Sequence, residues 1–324
     1  MAADVPTSDH FDGRRFFNPG GTAPHGLAEV LRWRREREPA RWPRHVSNRQ
    51  YAPPPARIDE GAMAATFIGH ASFLLQIGAL RVLVDPIFSD RCSPVSWAGP
   101  RRVRPPGIAF AELPPIDLLL VSHNHYDHMD LPTLRALARR DDPAVVTPLR
   151  NAAPLRQAGL KRIEELDWWG ETRVGAVRIT ATPARHFSAR TPFDRNRALW
   201  SGFMLEAGGR RLLFAGDSGA GPHWAQIGER LGAPDLALLP IGAYAPRWFM
   251  APVHMDPADA VRAHLALGAR RSIGMHFGTF QLTDEAMDDP PRELAIAARA
   301  QGVADAFTVL GEGETLVLPT FDDG

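Results

Sequence analysis

Four side chains able to bind a metal ion lie within six residues of one another: His123, His125, Asp127 and His128, in the run Ser-His-Asn-His-Tyr-Asp-His. Residues i and i+2 of an extended segment point the same way, so His123 and His125 can grip one ion together. A turn after them re-aims Asp127 and His128, which could hold a second ion beside the first. Imidazole and carboxylate at this spacing suit zinc or a similar divalent metal. A single buried histidine is usually structural. Three histidines and an aspartate behind an apolar strand are different, because core packing alone would leave buried polar groups unpaired.

The elements that must position these residues can be read from the hydrophobic pattern. Leu118 to Val121 reads as a buried strand, and a helix is expected from Leu131 to Arg139, with Pro132 in its first turn. Strands are expected at Ala65 to Gly69, Phe73 to Ile77, Arg81 to Asp85 and Ala144 to Thr147. Further strands are expected at Val177 to Thr182, Trp200 to Glu206, Arg211 to Phe214, Leu236 to Pro240 and Ser272 to His276. Helices are expected at Asp256 to Leu267, with Asp256 as cap and Pro257 first, and at Pro291 to Gln301. Residues 86 to 112 form a long loop rich in proline and glycine, a kind of segment that is often functional. Two strand-rich halves with helices between them fit a sandwich of two sheets flanked by helices.

The chain resembles the metallo-β-lactamase fold superfamily in its His-x-His-x-Asp-His motif, and its N-acyl-phosphatidylethanolamine phospholipase D branch in further words. These are Phe67 to Ser72, Asp85 to Ser89, Leu113 to Asp117, Leu166 to Trp169, Phe214 to Asp217, Pro240 to Met250 and His276 to Phe280. Each word is moderately specific, and their shared order from about Gly13 to the last quarter of the chain is highly specific. The resemblance implies an α/β fold, the four-layer αββα metallo-β-lactamase sandwich. It implies that His123, His125 and His186 hold one ion, that Asp127, His128 and His276 hold another, and that Asp217 bridges the two. The ions would be zinc, with manganese or iron(II) as alternatives.

Such a site explains the residue types. Two divalent ions roughly 3.5 to 4 Å apart can share a hydroxide, and coordination brings a water pKa towards about 7. The pair stays strongly cationic beside neutral imidazoles, which favours an anionic substrate. Asp127, Asp217 and His254 are the expected catalytic residues, with His254 donating to a phosphate oxygen or to the leaving group. Ser218 reads as a turn residue and not as a nucleophile. Asp85 and His70, at strand ends, are expected to orient ligands from behind. Trp97 and Tyr126 are expected near substrate, and Trp248, Phe249 and Met250 could form an apolar lip for an acyl chain.

The reaction implied by the resemblance is phospholipase D-type hydrolysis of an N-acyl-phosphatidylethanolamine-like lipid. A same-fold hydrolase of a soluble phosphodiester or a lactone is the first alternative, and a non-catalytic metal-binding sensor or membrane-associated scaffold is the second. A full set of seven ligand candidates argues against the scaffold. The chain departs from the animal lipid enzyme of the branch at Ser96-Trp97, where that enzyme has Gln-Tyr, and at Asp217-Ser218-Gly219-Ala220, where it has Asp-Thr-Gly-Tyr. Both changes bear on substrate and not on metal chemistry.

Lys+Arg and Asp+Glu are equal at 37 each among 324 residues, which argues against nucleic acid as a partner. Cys92 is the single cysteine, so no intramolecular disulfide forms and a reducing, cytoplasmic location is expected. Met1 to His10 lacks the pattern of a signal peptide. No stretch approaches the roughly 18 apolar residues of a membrane span, so a soluble protein is expected. Residues 1–62 read as an N-terminal arm and linker ahead of a hydrolase domain at 63–324. The arm holds a basic helix at Leu27 to Glu38, with Leu27, Val30 and Leu31 on one face and Arg32, Arg35 and Arg37 around it. That helix could sit on anionic lipid at the inner face of the membrane, but an arm packed across the main domain is the simpler expectation. A homodimer is compatible with the branch.

Overall fold

The computed structural model describes residues 6–21, 25–59 and 61–319. Residues 1–5 of the Met1 to His10 stretch, and the terminus after 319, lie outside the described residues.

Two seven-stranded sheets are formed among the described residues. The first contains β1 (Met63–Gly69), β2 (Ser72–Ile77), β3 (Leu80–Val84), β4 (Leu118–Leu120), β5 (Ala144–Pro148), β6 (Ile163–Leu166) and the last strand, β14 (Thr315–Leu318), in the order β14-β1-β2-β3-β4-β5-β6. The second contains β7 (Glu171–Val174), β8 (Val177–Thr182), β9 (Gly202–Ala207), β10 (Arg210–Phe214), β11 (Leu236–Pro240), β12 (Arg271–Met275) and β13 (Phe307–Val309), in reverse numerical order. Both sheets are built alike. The pairs from β14 to β3 and from β7 to β10 are antiparallel, and those from β3 to β6 and from β10 to β13 are parallel.

Parallel neighbours need crossovers; helices supply them except between β3 and β4, where the long loop crosses. After α1 (Leu27–Glu36) of the arm come α2 (Leu131–Arg140) and α3 (Ala152–Gln157) on the first sheet. Then follow α4 (His223–Leu231), the short α5 (Arg247–Met250), α6 (Pro257–Leu267) and α7 (Asp289–Ala300). Asp256 caps α6 as expected, accepting from the Asp259 N–H at 2.7 Å.

The layers follow from the two-residue period of a strand. Phe67, Phe73, Leu75, Val84 and Leu120 face inward and share a core with Phe203 and Phe214, cross-strand partners of the other sheet. Their sequence neighbours Ile68, Leu74, Leu83, Leu119 and Val121 face outward and meet Leu134 and Leu137 of α2. Both faces are covered, so these strands are continuous apolar runs. This is the four-layer αββα sandwich, and no helix among the described residues is long and apolar enough to cross a membrane.

The expected elements hold with small boundary changes. The strand expected from Trp200 begins at Gly202, the last helix spans Asp289–Ala300, and the arm helix stops at Glu36 because Arg37 is extended. The arm lies on the domain. Phe11 and Phe16 are buried with Ala184, Leu199 and Trp200. The face that α1 turns inward carries Trp33, stacked on Phe249 at 5.1 Å with its Nε1 donating to Asp284. Leu31, expected on that face, is 57% exposed, and the Leu27 side chain lies outside what the structure describes.

Candidate metal centre

Strand direction gathers the site. Alternating antiparallel steps make β1, β3 and β4 run the same way in one sheet and β8, β10 and β12 the same way in the other. His70 directly follows β1, and His276 directly follows β12; Asp85 follows β3, and His123, His186 and Asp217 lie a few residues beyond the ends of β4, β8 and β10. Several of these strand ends bend sharply. His70, Asp85 and His276 have φ of 57°, 37° and 64°, in the left-handed region where non-glycine residues are uncommon. The bends turn side chains across the sheet edge. The His276 N–H donates to the His70 carbonyl at 2.8 Å, so one hydrogen bond joins the two sheets at the site.

The centre has two parts. In the first, His123 Nε2 lies 2.9 Å from His125 Nδ1, which lies 3.1 Å from His186 Nε2. In the second, His128 Nε2 and His276 Nε2 lie 3.4 and 3.3 Å from Asp127 Oδ2. Asp217 stands between the parts. Its Oδ2 is 3.2 Å from His128 Nε2, 3.0 Å from His276 Nε2 and 3.8 Å from His186 Nε2. All seven expected ligands therefore meet in one place.

The atoms behind them fix which nitrogen faces inward. His128 Nδ1 donates to the fully buried Asp85 carboxylate at 2.7 Å, and His186 Nδ1 donates to the Val253 carbonyl at 3.0 Å. Asp85 is itself held by the Ser122 N–H at 2.7 Å and by the Ser122 hydroxyl. His70 Nε2 donates to Asp127 Oδ2 at 2.9 Å. Each Nε2 of His128 and His186 thus keeps its lone pair for the centre, as ligand imidazoles do when a carboxylate or carbonyl holds the other nitrogen.

These donors fit divalent metal. With metal–nitrogen distances of about 2.0–2.1 Å, neighbouring donors of a tetrahedral ion sit about 3.4 Å apart, close to the spacings found. His128 Nε2, His276 Nε2 and Asp217 Oδ1 are buried without a hydrogen-bond partner. A polar atom left so costs about 1–3 kcal/mol, and a cation among them removes that cost. Protonation points the same way. Burial, aided by neighbouring histidines, takes His125 down to about 3 and, against the pull of the Asp217 carboxylate, His186 down to about 4. Those rings are neutral at pH 7, the form that binds metal. His128 and His276 differ. Burial lowers them, but the Asp217 carboxylate and then Asp127 outweigh it, lifting His276 to about 9 and His128 well above the usual range. The Asp217 and Asp127 carboxylates demand positive charge here, which protons or metal ions can supply.

The remaining expected residues spread over two surroundings. His254 is buried, its ring 5.0 Å from that of His186 and 5.5 Å from that of His276, and its Nδ1 has no partner. Tyr126 lines a groove of about 1320 Å³ beside the histidine loop, and its hydroxyl donates to the Arg190 carbonyl at 2.7 Å. Trp97 is on the loop that forms part of the groove wall. Trp248, Phe249 and Met250 form α5 and do not line that groove; His25 and Trp33 of the arm stack on Phe249, and Met250 is buried.

Two buried histidines were not legible in the sequence. His223 Nε2 donates to the Ser218 hydroxyl at 3.0 Å, and that hydroxyl also receives the Arg185 N–H at 2.9 Å. Ser218 is therefore more than a turn residue, since it ties the loop of Asp217 to the loop of His186. The other is His10, held between Asp9 and Asp167 at 2.6 and 2.7 Å. Only histidine abundance hinted at either.

A profile described as the beta-lactamase superfamily domain matches residues 80–277, which contain the whole centre apart from His70. The chain belongs to the beta-lactamase superfamily. Within it, this superfamily member is 37% identical over 270 residues to N-acyl-phosphatidylethanolamine-hydrolyzing phospholipase D 1 of Caenorhabditis elegans, covering 79% of this chain and 76% of that one. It is 31% identical to a metal-dependent hydrolase of Rubrobacter xylanophilus, covering 79% and 97%. Among solved structures, the metallo hydrolase Igni18 of Ignicoccus hospitalis superposes with a TM-score of 0.61 at 24% identity, covering 79% and 98%, a likeness of fold. The superfamily member described here is a metal-dependent hydrolase, with clusters of histidine and aspartate able to bind its metal.

Proposed function

We propose that the chain is a dinuclear phosphodiesterase of the phospholipase D type, acting on N-acyl-phosphatidylethanolamine-like lipids to give phosphatidic acid and an N-acylethanolamine. His123, His125 and His186 would hold one divalent ion, Asp127, His128 and His276 the other, with Asp217 between them; zinc would suit this mixed nitrogen and oxygen set. Metal held there would supply a water acidic enough to act as nucleophile at neutral pH, and positive charge facing the phosphate. Asp85 and His70 hold the ligands in place. Burial keeps His254 well below the usual histidine range, so it acts as a neutral hydrogen-bond donor to a phosphate oxygen and not as a charged acid. Residues 63–324 carry the chemistry, the described part of the arm before them covers its flank, and the lone Cys92 suits a cytoplasmic location.

The observation that carries this reading is the likeness to the Caenorhabditis elegans lipid hydrolase across three quarters or more of both chains, joined to a centre with two carboxylates and five histidines. The test is a substrate panel: an N-acyl-phosphatidylethanolamine, a soluble phosphodiester and a lactone, each with metal-replete and chelated protein. Release of N-acylethanolamine that stops on chelation and returns with zinc is expected. Turnover of the lactone or soluble ester alone would replace the lipid reading.

A further inference from the structure

The groove beside the histidine loop has an apolar rim. Trp97 and Phe193 are 79% and 80% exposed. Each belongs to a loop of the groove wall: residues 93–96 line it immediately before Trp97, and Thr191 and Asp194 line it on either side of Phe193. Val95, also exposed, lies on the first of these loops. Apolar side chains scattered singly over a surface need no explanation, whereas several around one groove mark a contact surface.

The lining inside that rim is cationic. Its arginines outnumber its carboxylates six to four, and the carboxylates are engaged. Asp130 accepts from Ser89 and Thr133, Glu165 from the Ala152 N–H, Asp194 from the N–H groups of Arg190 and Thr191, and Asp90 pairs with Arg101. Arg135, Arg156 and Arg197 are exposed and make no ion pair among the described residues. Arg150 is held at a left-handed φ of 65°, its guanidinium 4.5 Å above Phe11 and its Nε buried without a partner.

We propose that this face docks on an anionic phospholipid bilayer, with Trp97 and Phe193 entering the interface and Arg135, Arg150, Arg156 and Arg197 meeting lipid phosphates. Aromatic rings settle at the boundary between head groups and acyl chains. Guanidinium groups match phosphate in charge and fork geometry. A soluble anion would use the arginines and leave the rim without purpose. The groove borders the histidine loop through Asn124 and Tyr126, so a head group drawn into it stands beside the metal centre. Helix α1, the other basic element, is already committed: Arg32 and Arg35 pair with Glu36, Arg37 pairs with Asp284, and Arg32 stacks on Trp248. The inference rests on the lipid reading above in that it assigns the surface through which such a substrate is reached.

The test is sedimentation of the full, metal-replete chain with vesicles of phosphatidylcholine, with and without about one-third phosphatidylglycerol. Neither lipid is the proposed substrate, so binding is read whether or not hydrolysis occurs. The protein is expected to bind the anionic vesicles and to lose binding with added salt. Trp97→Ser with Phe193→Ser is expected to weaken binding about tenfold or more, and Arg156→Ala with Arg197→Ala to weaken it and flatten its salt dependence. Metal content and melting temperature, unchanged, establish that the variants fold. Vesicle binding that survives both variants, or that falls instead on removing Arg32, Arg35 and Arg37, overturns the proposal, as does a wild-type protein that ignores anionic vesicles. A protein that docks as expected but releases no N-acylethanolamine sinks the lipid reading alone.

Discussion

Asp217 decides whether the two histidine clusters act as one centre. Its Oδ2 lies within 3.8 Å of a ring nitrogen from both clusters, and no other carboxylate among the described residues does so. Asp217→Asn keeps the shape and removes the charge that, in the proposed dinuclear centre, would offset two dications. We expect reduced metal content, a kcat lower by about hundredfold or more, and a smaller change in KM, measured by elemental analysis and steady-state kinetics. Near-normal kcat with both ions bound would refute the bridge. Asp85→Ala tests the support behind it. Without the carboxylate on Nδ1, His128 loses its fixed ring orientation, and metal affinity at that part should fall about 10–100-fold, read by competition with a chelator. Equal affinity would make Asp85 a mere turn residue. The centre was legible in the sequence because His123 to His128 are adjacent and because each distant member sits just past an apolar run. His10 was not legible, since its partner Asp167 is 157 residues away and nothing local ties the two together.

At the scale of elements, strand ends do the positioning, and the fit between them is tight. Gly242 follows β11, and a Cβ there would collide with the His276 carbonyl. Gly242→Ala should push the His276 loop away, with a cost of about 1–3 kcal/mol from overpacking and weaker metal retention; an unchanged melting temperature would contradict this close approach. The arm offers a pH test. Burial lowers the pKa of His10, but its bonds to Asp167 and then Asp9 outweigh that and raise it above its ordinary 6.5. A raised value means the pairing stabilises fully below about pH 6.5 and fades as pH rises through the folded value. His10→Ala should therefore lower the melting temperature more at pH 6 than at pH 9, where only stacking on Trp168 is lost; equal losses would show that charge plays no part. The strands that pattern reading missed are β6, β7, β13 and β14, the four edges of the two sheets. Edge strands are short and half exposed, as in Glu171–Val174, so they lack the apolar run that marks a central strand. Helix α4 was missed for a different reason: its start, at His223 after Pro222, carries no side-chain cap.

At the scale of the molecule, a chain with no net charge concentrates opposite charges locally. Asp127 and Asp217 call for cations at the centre, and a groove of arginines beside them calls for anions. A phosphodiester, anionic and attacked at phosphorus, suits that arrangement better than a neutral ester or lactone does. The sequence marked the centre and the long loop after Asp85, but the groove itself joins loops distant in the chain and needed the fold. The central claim is that this protein breaks a P–O bond with its own metal-activated water. Hydrolysis of an N-acyl-phosphatidylethanolamine by the metal-replete protein in ¹⁸O-labelled water, followed by mass spectrometry of both products, tests it most directly. One ¹⁸O in the phosphatidic acid and none in the N-acylethanolamine is the predicted result; label in the N-acylethanolamine, or the same yield from chelated protein, would contradict it.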